Sequence, residues 1–225
     1  MKKGRTFAVI GLGRFGSAVA TTLLDLGHEV IGIDADAHVV RELADRGVQT
    51  LQLDVTDERA LRASGIHDVD VAVVSIGENL EASLIVVMLV KELGVTAIVA
   101  KATTPLHGRI LEKLGVSRIV FPEREMAVRT AHSLVVANLV DYIELSPDFA
   151  IVEVPAPPDF VGRSVKELQI RNRFGLNLIA IRRRAPDGSH NTNVAPMADD
   201  SIEEGDVLAL LGSNVNVAKL NALRK

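Results

Sequence analysis

The sequence predicts a doubly wound α/β fold, in which helices cover both faces of a parallel sheet, followed by a smaller α+β domain. Three features of the chain predict it. Short, nearly continuous apolar segments alternate with segments of helical spacing through the first 140 residues, and such strands are buried on both faces, as in parallel sheets. A glycine-rich turn joins the first strand to the first helix. After residue 140 the regular alternation ends, which indicates a second domain.

The alternation predicts six strands with helices between them. The predicted strands are Thr6–Ile10, Glu29–Asp34, Val48–Leu53, Val69–Ile76, Ala97–Lys101 and Arg118–Phe121. The predicted helices between them are Ala18–Leu26, His38–Ala44, Asp57–Ala63, Leu80–Leu93 and Pro105–Leu114. A long helical pattern over Glu123–Val140 then connects to the second domain, so we predict a Rossmann-like domain over residues 1–140 and a C-terminal domain over residues 141–225.

The second domain is predicted from shorter segments separated by turn signals. Its predicted strands are Phe149–Val154, Leu176–Arg182 and Asp206–Leu211, and its predicted helices are Ser164–Leu168 and Val215–Leu223. Ser164 is a favourable N-cap for the first of these helices. Turns are indicated by Ser146-Pro147-Asp148 and by Pro186-Asp187-Gly188.

Composition excludes several classes of protein. The 225-residue chain has a net charge of −4, with six Phe, one Tyr and no Trp, so it lacks the basic surface and the stacking side chains of a nucleic-acid binder. The absence of cysteine excludes disulfides, zinc–thiolate sites and thiol nucleophiles, and it fits a cytoplasmic location. The longest apolar run, Leu84–Val90, is too short to cross a membrane. We therefore expect a soluble protein that reaches a membrane only through a partner.

The glycine-rich turn has the pattern G-x-G-x-x-G directly after a predicted strand and before a predicted helix. Gly11 allows the tight turn, Gly13 lets a phosphate approach the backbone, and Gly16 lets the helix pack against the strand. The helix N-terminus presents unpaired N–H groups to the phosphates. Asp34 ends the second strand, where it can bind a ribose and would repel a 2′-phosphate. The pattern predicts an adenine nucleotide site, and a turn that serves packing alone is the alternative.

Other motifs of enzymes are missing. Tyr142 is the only tyrosine and has no lysine four residues on, and the sequence holds neither an H-E-x-x-H nor a G-x-S-x-G motif. His107 and His132 lie on predicted helices and are expected at the surface or in an interface rather than in catalysis. A nucleotide site without catalytic groups favours a sensor, and an NAD-dependent oxidoreductase is the alternative. Arg14, inside the turn, is either a clamp for a di- or triphosphate or a solvated arginine.

The chain resembles the KTN/RCK family (regulator of potassium conductance), and within it the cytosolic gating subunits of Ktr-type potassium transporters. The likeness of the first half rests on segments 7–16, 27–34, 71–83, 99–102 and 118–127, together with the segment from Asp54 to Asp57. That of the second half rests on segments 160–183 and 203–212. Trk-type relatives often carry two such units in tandem, whereas this chain carries one, which favours the Ktr interpretation.

The resemblance implies a regulatory subunit rather than an enzyme. Members form dimers and octameric rings that dock on the cytosolic face of a membrane potassium-translocating (KtrB-like) subunit. The ring changes shape between ATP and ADP, with NAD(H) as the alternative ligand. The chain is therefore expected in the cytoplasm, at the inner face of the cell membrane. A regulator of a different ion transporter is the alternative within the family.

The resemblance also implies site residues, carried over position by position. The implied nucleotide site comprises Gly11, Gly13, Arg14, Phe15, Gly16, Asp34, Asp36, Asp54, Val55, Ser75, Gly77, Asn79 and Lys101. Family members often have a small or amide residue where this chain has Asp54, so its role is open. Glu123 matches an acidic residue associated with a divalent cation, Mg²⁺ or Ca²⁺, and a glutamate that stabilises a helix start is the alternative.

Some relatives bind cyclic di-AMP at the dimer interface of the second domain. The matching residues are Val165, Ile170, Arg171, Asn172, Arg173 and Pro196, with Arg182 to Arg184 nearby in sequence. Guanidinium groups pair well with phosphodiester oxygens, and Val165, Ile170 and Pro196 are apolar enough to hold adenine faces. A solvated arginine face is the alternative.

Overall fold

The computed structural model describes residues 4–135, 140–185 and 187–222. Contacts divide the chain into two compact units, Met1–Arg124 and Glu125–Lys225. The domain boundary predicted at residue 140 stays a prediction. Among the described residues, no helix has the length and apolar character that crossing a membrane requires.

The first unit is a six-stranded parallel sheet with the strand order β3-β2-β1-β4-β5-β6. Its strands are β1 Thr6–Ile10, β2 Glu29–Asp34, β3 Gln49–Gln52, β4 Val71–Val74, β5 Ile98–Lys101 and β6 Arg118–Val120. Its helices are α1 Arg14–Asp25, α2 Ala37–Asp45, α3 Glu58–Ala63, α4 Leu80–Glu92 and α5 Pro105–Lys113, and α6 Pro122–Val135 begins in it. The predicted doubly wound fold is confirmed.

The apolar core of this unit lies on both faces of the sheet. Ala8 and Ile10 of β1 belong to the cluster on one face, and Val9 between them belongs to the cluster on the other. Alternate side chains of a strand point to opposite faces, so a strand buried on both sides must be apolar throughout. This requirement explains the continuous apolar segments from which the strands were predicted.

The second unit is a five-stranded antiparallel sheet with the order β10-β9-β11-β8-β7. Its strands are β7 Asp141–Ser146, β8 Phe149–Pro155, β9 Asn177–Arg184, β10 His190–Asn193 and β11 Val207–Ser213. Its short helices are α7 Val165–Leu168, α8 Ile170–Phe174 and α9 Asn214–Ala222. The core contains Val152, Val154, Leu208 and Leu210 from two paired strands, with Phe160 packed beside them.

Several predicted bounds differ from those observed. Helix α1 begins at Arg14, four residues before its predicted start, because the glycine turn leads directly into it. Strands β7 and β10 and helix α8 were not predicted. Two predicted helices extend beyond the described residues, which exclude residues 136–139 of the first helix and Leu223 of the second. Pro186 of a predicted turn also lies outside the described residues.

Candidate functional site

The predicted nucleotide-site residues lie at one edge of the parallel sheet. The carboxyl ends of parallel strands meet at the same edge, and ligands of doubly wound sheets bind where the strand order reverses. Here β1 pairs with β2 on one side and with β4 on the other, so the reversal lies between β1 and β4. The glycine turn follows β1, and Ser75 directly follows β4.

Two glycines of the turn are required by the protein itself. Gly11 has a φ of +87°, in the left-handed region that favours glycine. A Cβ added to Gly16 would lie 1.9 Å from the carbonyl oxygen of Gly11, so α1 approaches the turn too closely for any side chain. These observations agree with the roles that the motif predicts for Gly11 and Gly16.

Gly13, in contrast, is not required by its surroundings. Its φ of −63° and ψ of −175° are open to other residues, and an added Cβ would meet no atom within 4 Å. Gly13 is the N-cap of α1 and makes no side-chain cap bond, and the first turn holds no acidic residue. Arg14 and Gly13 are exposed, and Phe15 is half-buried. The first turn of α1 therefore keeps donor groups and open space at the reversal point.

Asp34 has a structural role that the motif does not reveal. One carboxylate oxygen accepts the Leu12 N–H at 2.6 Å, and the other accepts the Asp36 N–H at 2.9 Å. The carboxylate thereby ties the end of β2 to the glycine turn. Each oxygen still has a further lone pair with which to accept a ribose hydroxyl. Asp36 caps α2 by accepting the His38 N–H at 2.8 Å.

The remaining predicted site residues near the glycine turn stabilise a turn, cap a helix or are buried in the protein. Asp54 accepts both the backbone N–H and the hydroxyl of Thr56, and these bonds hold the pKa of Asp54 below its ordinary value. Val55 is half-buried against the core. Ser75 is buried, and its backbone N–H donates to the carbonyl of Ile10. Asn79 caps α4 through the Ala82 N–H.

Lys101 and Glu123 form an ion pair at the same edge. Lys101 ends β5, and its Nζ lies 2.6 Å from Oε1 of Glu123, near the start of α6. The hydrogen bond from Lys101 lowers the pKa of Glu123. A Cβ built on Gly77 would lie 3.3 Å from Nζ, so the ammonium lies beside the loop after β4.

The described residues provide no preformed metal centre. No group of three or more His, Asp or Glu side chains among them is arranged to hold a metal ion. Glu123 has a lysine ammonium as its neighbour rather than other carboxylates. Cation binding at Glu123 stays a prediction, which needs oxygen ligands from a nucleotide or another subunit.

In the second unit, the residues predicted for cyclic di-AMP have different surroundings. Ile170 is 3% exposed and belongs to the core, so its side chain presents no free face to an adenine. Val165 packs against the same core, and Pro196 is half-buried. Arg171 and Asn172 are exposed on α8, and Arg173 lies over the Phe174 ring. Binding of cyclic di-AMP stays a prediction.

The arginine run of β9 is engaged in ion pairs. Arg183 forms two 2.8 Å bonds with Asp206, whose side chain is 0% exposed, and also contacts Glu203. Arg182 pairs with Glu153 at 2.8 Å. Burial raises the pKa of Asp206, but the bonds from Arg183 and the Glu203 N–H outweigh it, and the net pKa is lowered. Arg182 and Arg183 therefore have intramolecular partners, which differs from the predicted alternatives of phosphate ligands or a solvated face.

A cavity of about 280 Å³ adjoins this pair. It is lined by Ile181, Arg183, Asn191, Asn193, Asp200 and Ser201. None of the six residues predicted for cyclic di-AMP is among these lining residues.

Comparison with known proteins decides the family. A TrkA-N domain model matches residues 7–122, and a TrkA-C domain model matches residues 149–225. The chain belongs to the KTN/RCK family. This family member is 39% identical to the Ktr system potassium uptake protein C of Bacillus subtilis (strain 168) over 219 residues, which cover 97% of this chain and 96% of that protein. It is 34% identical to the Ktr system potassium uptake protein A of the same organism over 96% of both chains.

The fold of this KTN/RCK protein also matches a solved structure. The crystal structure of the GsuK RCK domain superposes with a TM-score of 0.65 at 22% identity, covering 99% of this chain and 48% of that one. The similarity supports the two-part RCK architecture. The domain models and the two relatives confirm the family resemblance stated from the sequence.

Proposed function

We propose that this KTN/RCK protein is a nucleotide-sensing regulatory subunit that gates a membrane potassium transporter. The observation that carries the proposal is Gly13. Its backbone angles and its empty surroundings permit a side chain, so a glycine is needed there only if something outside the chain approaches the backbone. A phosphate at the N-terminus of α1 meets that description.

Other features at this edge support an adenine nucleotide. The remaining lone pairs of Asp34 suit ribose hydroxyls, at a position where a 2′-phosphate would be repelled. Arg14 is exposed at the phosphate end of the turn. ATP, ADP and NAD(H) all satisfy this chemistry. We favour ATP and ADP because a sensor must distinguish two ligands, and the γ-phosphate is a group that Arg14 can contact.

The relatives support a role in potassium uptake. Two proteins that match nearly the whole chain are named as Ktr system potassium uptake proteins. We infer a membrane potassium-translocating subunit as the partner, and a cytoplasmic location against the inner face of the membrane. A ligand shifts a conformational equilibrium only by its differential affinity for the two states. ATP and ADP therefore gate the partner only if the γ-phosphate makes contacts in one conformation that are absent in the other.

The substitution Gly13→Ala tests the site without disturbing the fold. The added methyl group meets no protein atom within 4 Å, so thermal unfolding should stay close to that of the wild type. Adenine nucleotide affinity, measured by calorimetry with ATP, ADP and NADH, should fall about tenfold or more, because the phosphate loses its charge-assisted backbone bonds.

The matched control is Thr104→Ala. It removes the N-cap of α5, another helix that starts at this edge, and should leave nucleotide affinity unchanged. Unchanged affinity in Gly13→Ala, or no adenine nucleotide bound by the wild type, would refute the proposal.

A further inference from the structure

The Lys101–Glu123 pair joins two side chains of unequal exposure. Lys101 is 14% exposed, whereas Glu123 is 68% exposed. The lysine is thus held in place by its surroundings, and the glutamate lies mostly in water. When a competing anion arrives, the glutamate is the partner that can leave at little cost, because water solvates the released carboxylate.

The position of the ammonium also matters. Lys101 extends from β5, yet its Nζ lies beside Gly77 in the loop after β4. Strand β4 borders the reversal point and pairs directly with β1, the strand that leads into the glycine turn. The lysine therefore brings a positive charge from a more distant strand to the loop after β4, whose residues Ser75 and Ile76 lie next to Gly11 of the glycine turn.

A polyphosphate and the Glu123 carboxylate are both negatively charged, and both are attracted to the Lys101 ammonium. Both are ionised at neutral pH, as is usual for a carboxylate and a phosphate chain. The ammonium has two further N–H donors, but a carboxylate 2.6 Å from Nζ largely neutralises its charge, so a phosphate gains the full attraction of Lys101 only when the carboxylate moves away.

We propose that Glu123 is a built-in competitor for the phosphate chain: it holds Lys101 in the ligand-free protein, and a nucleotide polyphosphate displaces it. Lys101 is then the residue that contacts phosphate, and Glu123 acts through it as a positioning residue. The pair weakens the binding of a nucleotide more strongly when that nucleotide depends more on its contact with Lys101. Nucleotides are therefore distinguished by the length of their phosphate chain. This inference rests on the proposed nucleotide site.

The test compares adenosine, AMP, ADP and ATP by calorimetry in EDTA, on the full-length chain. Glu123→Gln should bind ADP and ATP roughly threefold to tenfold more tightly than the wild type, with adenosine unchanged. Lys101→Met should bind ADP and ATP more weakly, again with adenosine unchanged. In the double variant the gain from Glu123→Gln should vanish, because the competitor acts only through Lys101.

The control is Glu81→Gln, which removes the same charge from the first turn of α4 and leaves the Lys101–Glu123 pair intact. If Glu81→Gln increases the affinity for ADP as much as Glu123→Gln does, the gain comes from the general loss of negative charge, and the proposal that Glu123 is a competitor is wrong. A loss of ATP affinity in Glu123→Gln that appears with Mg²⁺ and is absent in EDTA would make Glu123 a cation ligand instead. If the wild type binds ADP but Glu123→Gln alters no affinity, this inference fails while the proposed function stands.

Discussion

At the scale of single residues, the three glycines of the glycine-rich turn are subject to different structural constraints. Gly16 is fixed by the fold, since an added Cβ would lie 1.9 Å from a backbone carbonyl oxygen that cannot rotate away. We expect Gly16→Ala to lower the free energy of unfolding by about 3 kcal/mol or more, as overpacking against backbone does. Urea unfolding measures it, with Gly13→Ala as the comparison. A decrease in the free energy of unfolding of less than about 1 kcal/mol would mean that α1 can move away from the turn to make room for the methyl group.

Local spacing predicted these residues, but their long-range partners could not be predicted. The roles of Gly11 and Gly16 follow from positions within one turn. The Lys101–Glu123 pair joins the end of β5 to the first turn of α6, between residues that are 22 positions apart. The Arg183–Asp206 pair spans 23 positions. A run of arginines was interpreted as an anion site or a solvated face because the sequence does not show that a buried aspartate lies opposite it.

At the scale of elements, helix α5 contains a buried histidine. The expectation that His107 lies at the surface or in an interface was wrong, because His107 is 1% exposed. Neither ring nitrogen has a hydrogen-bond partner among the described residues. The side chain of His132, for which the same was expected, lies outside the described side chains. Thr104 caps α5 through the His107 N–H, so the histidine is held in the first turn with its ring against the core.

Burial makes this helix sensitive to acid. Desolvation lowers the pKa of His107 below its ordinary value of 6.5. The unfolded chain therefore binds a proton more readily, so the stabilisation is complete above pH 6.5 and is lost as pH falls below it. We expect the unfolding free energy to decline by at most about 1.4 kcal/mol per pH unit from this residue.

Urea unfolding at about pH 7, 6 and 5 measures that slope. His107→Leu, which cannot titrate, should remove it. The exposed His38 provides the control, since His38→Gln should leave the slope in place. An equal slope in wild type and His107→Leu would show that other groups cause the acid sensitivity.

Elements with strong periodicity were predicted, and those without it were not. The inner parallel strands β1 and β4 are apolar on both faces, which leaves a clear signal in sequence. Strand β10 consists of the four exposed polar residues His-Asn-Thr-Asn at a sheet edge, so nothing in its composition marks it. Strand β7 carries Asp141 and Glu144 beside exposed Ile143 and Leu145, which hides its alternation. Pairing with neighbouring strands, rather than local preference, defines both.

At the scale of the whole molecule, the two-part organisation was predicted from the change in rhythm after the sixth strand. Matches to one domain model in each half agree with it. The apolar pattern of α4 is compatible with a position either in the core or in an interface. Ser83, Val86, Val87 and Val90 are buried within the first unit, so most of that helix serves the core, although Met88 is 48% exposed.

Helix α6 supports the predicted assembly better. Met126, Val128 and Leu134 are all exposed, and Leu134 is 79% exposed. Exposed apolar side chains grouped along one helix are typical of protein–protein contact surfaces. A two-fold symmetric dimer interface uses the same surface patch on both copies. We therefore expect a dimer at least, and the octameric ring stays the prediction that the family resemblance implies.

Light scattering at roughly micromolar concentration tests this expectation, since an interface of standard size with an apolar core holds at such concentrations. Leu134→Glu places a charge at the most exposed of these apolar side chains of α6 and should lower the measured mass, because burying an unpaired carboxylate opposes association. Leu26→Glu changes a leucine at the end of α1 that is 68% exposed and should leave the mass unchanged. A wild-type chain that is monomeric under these conditions would contradict both the dimer and the ring.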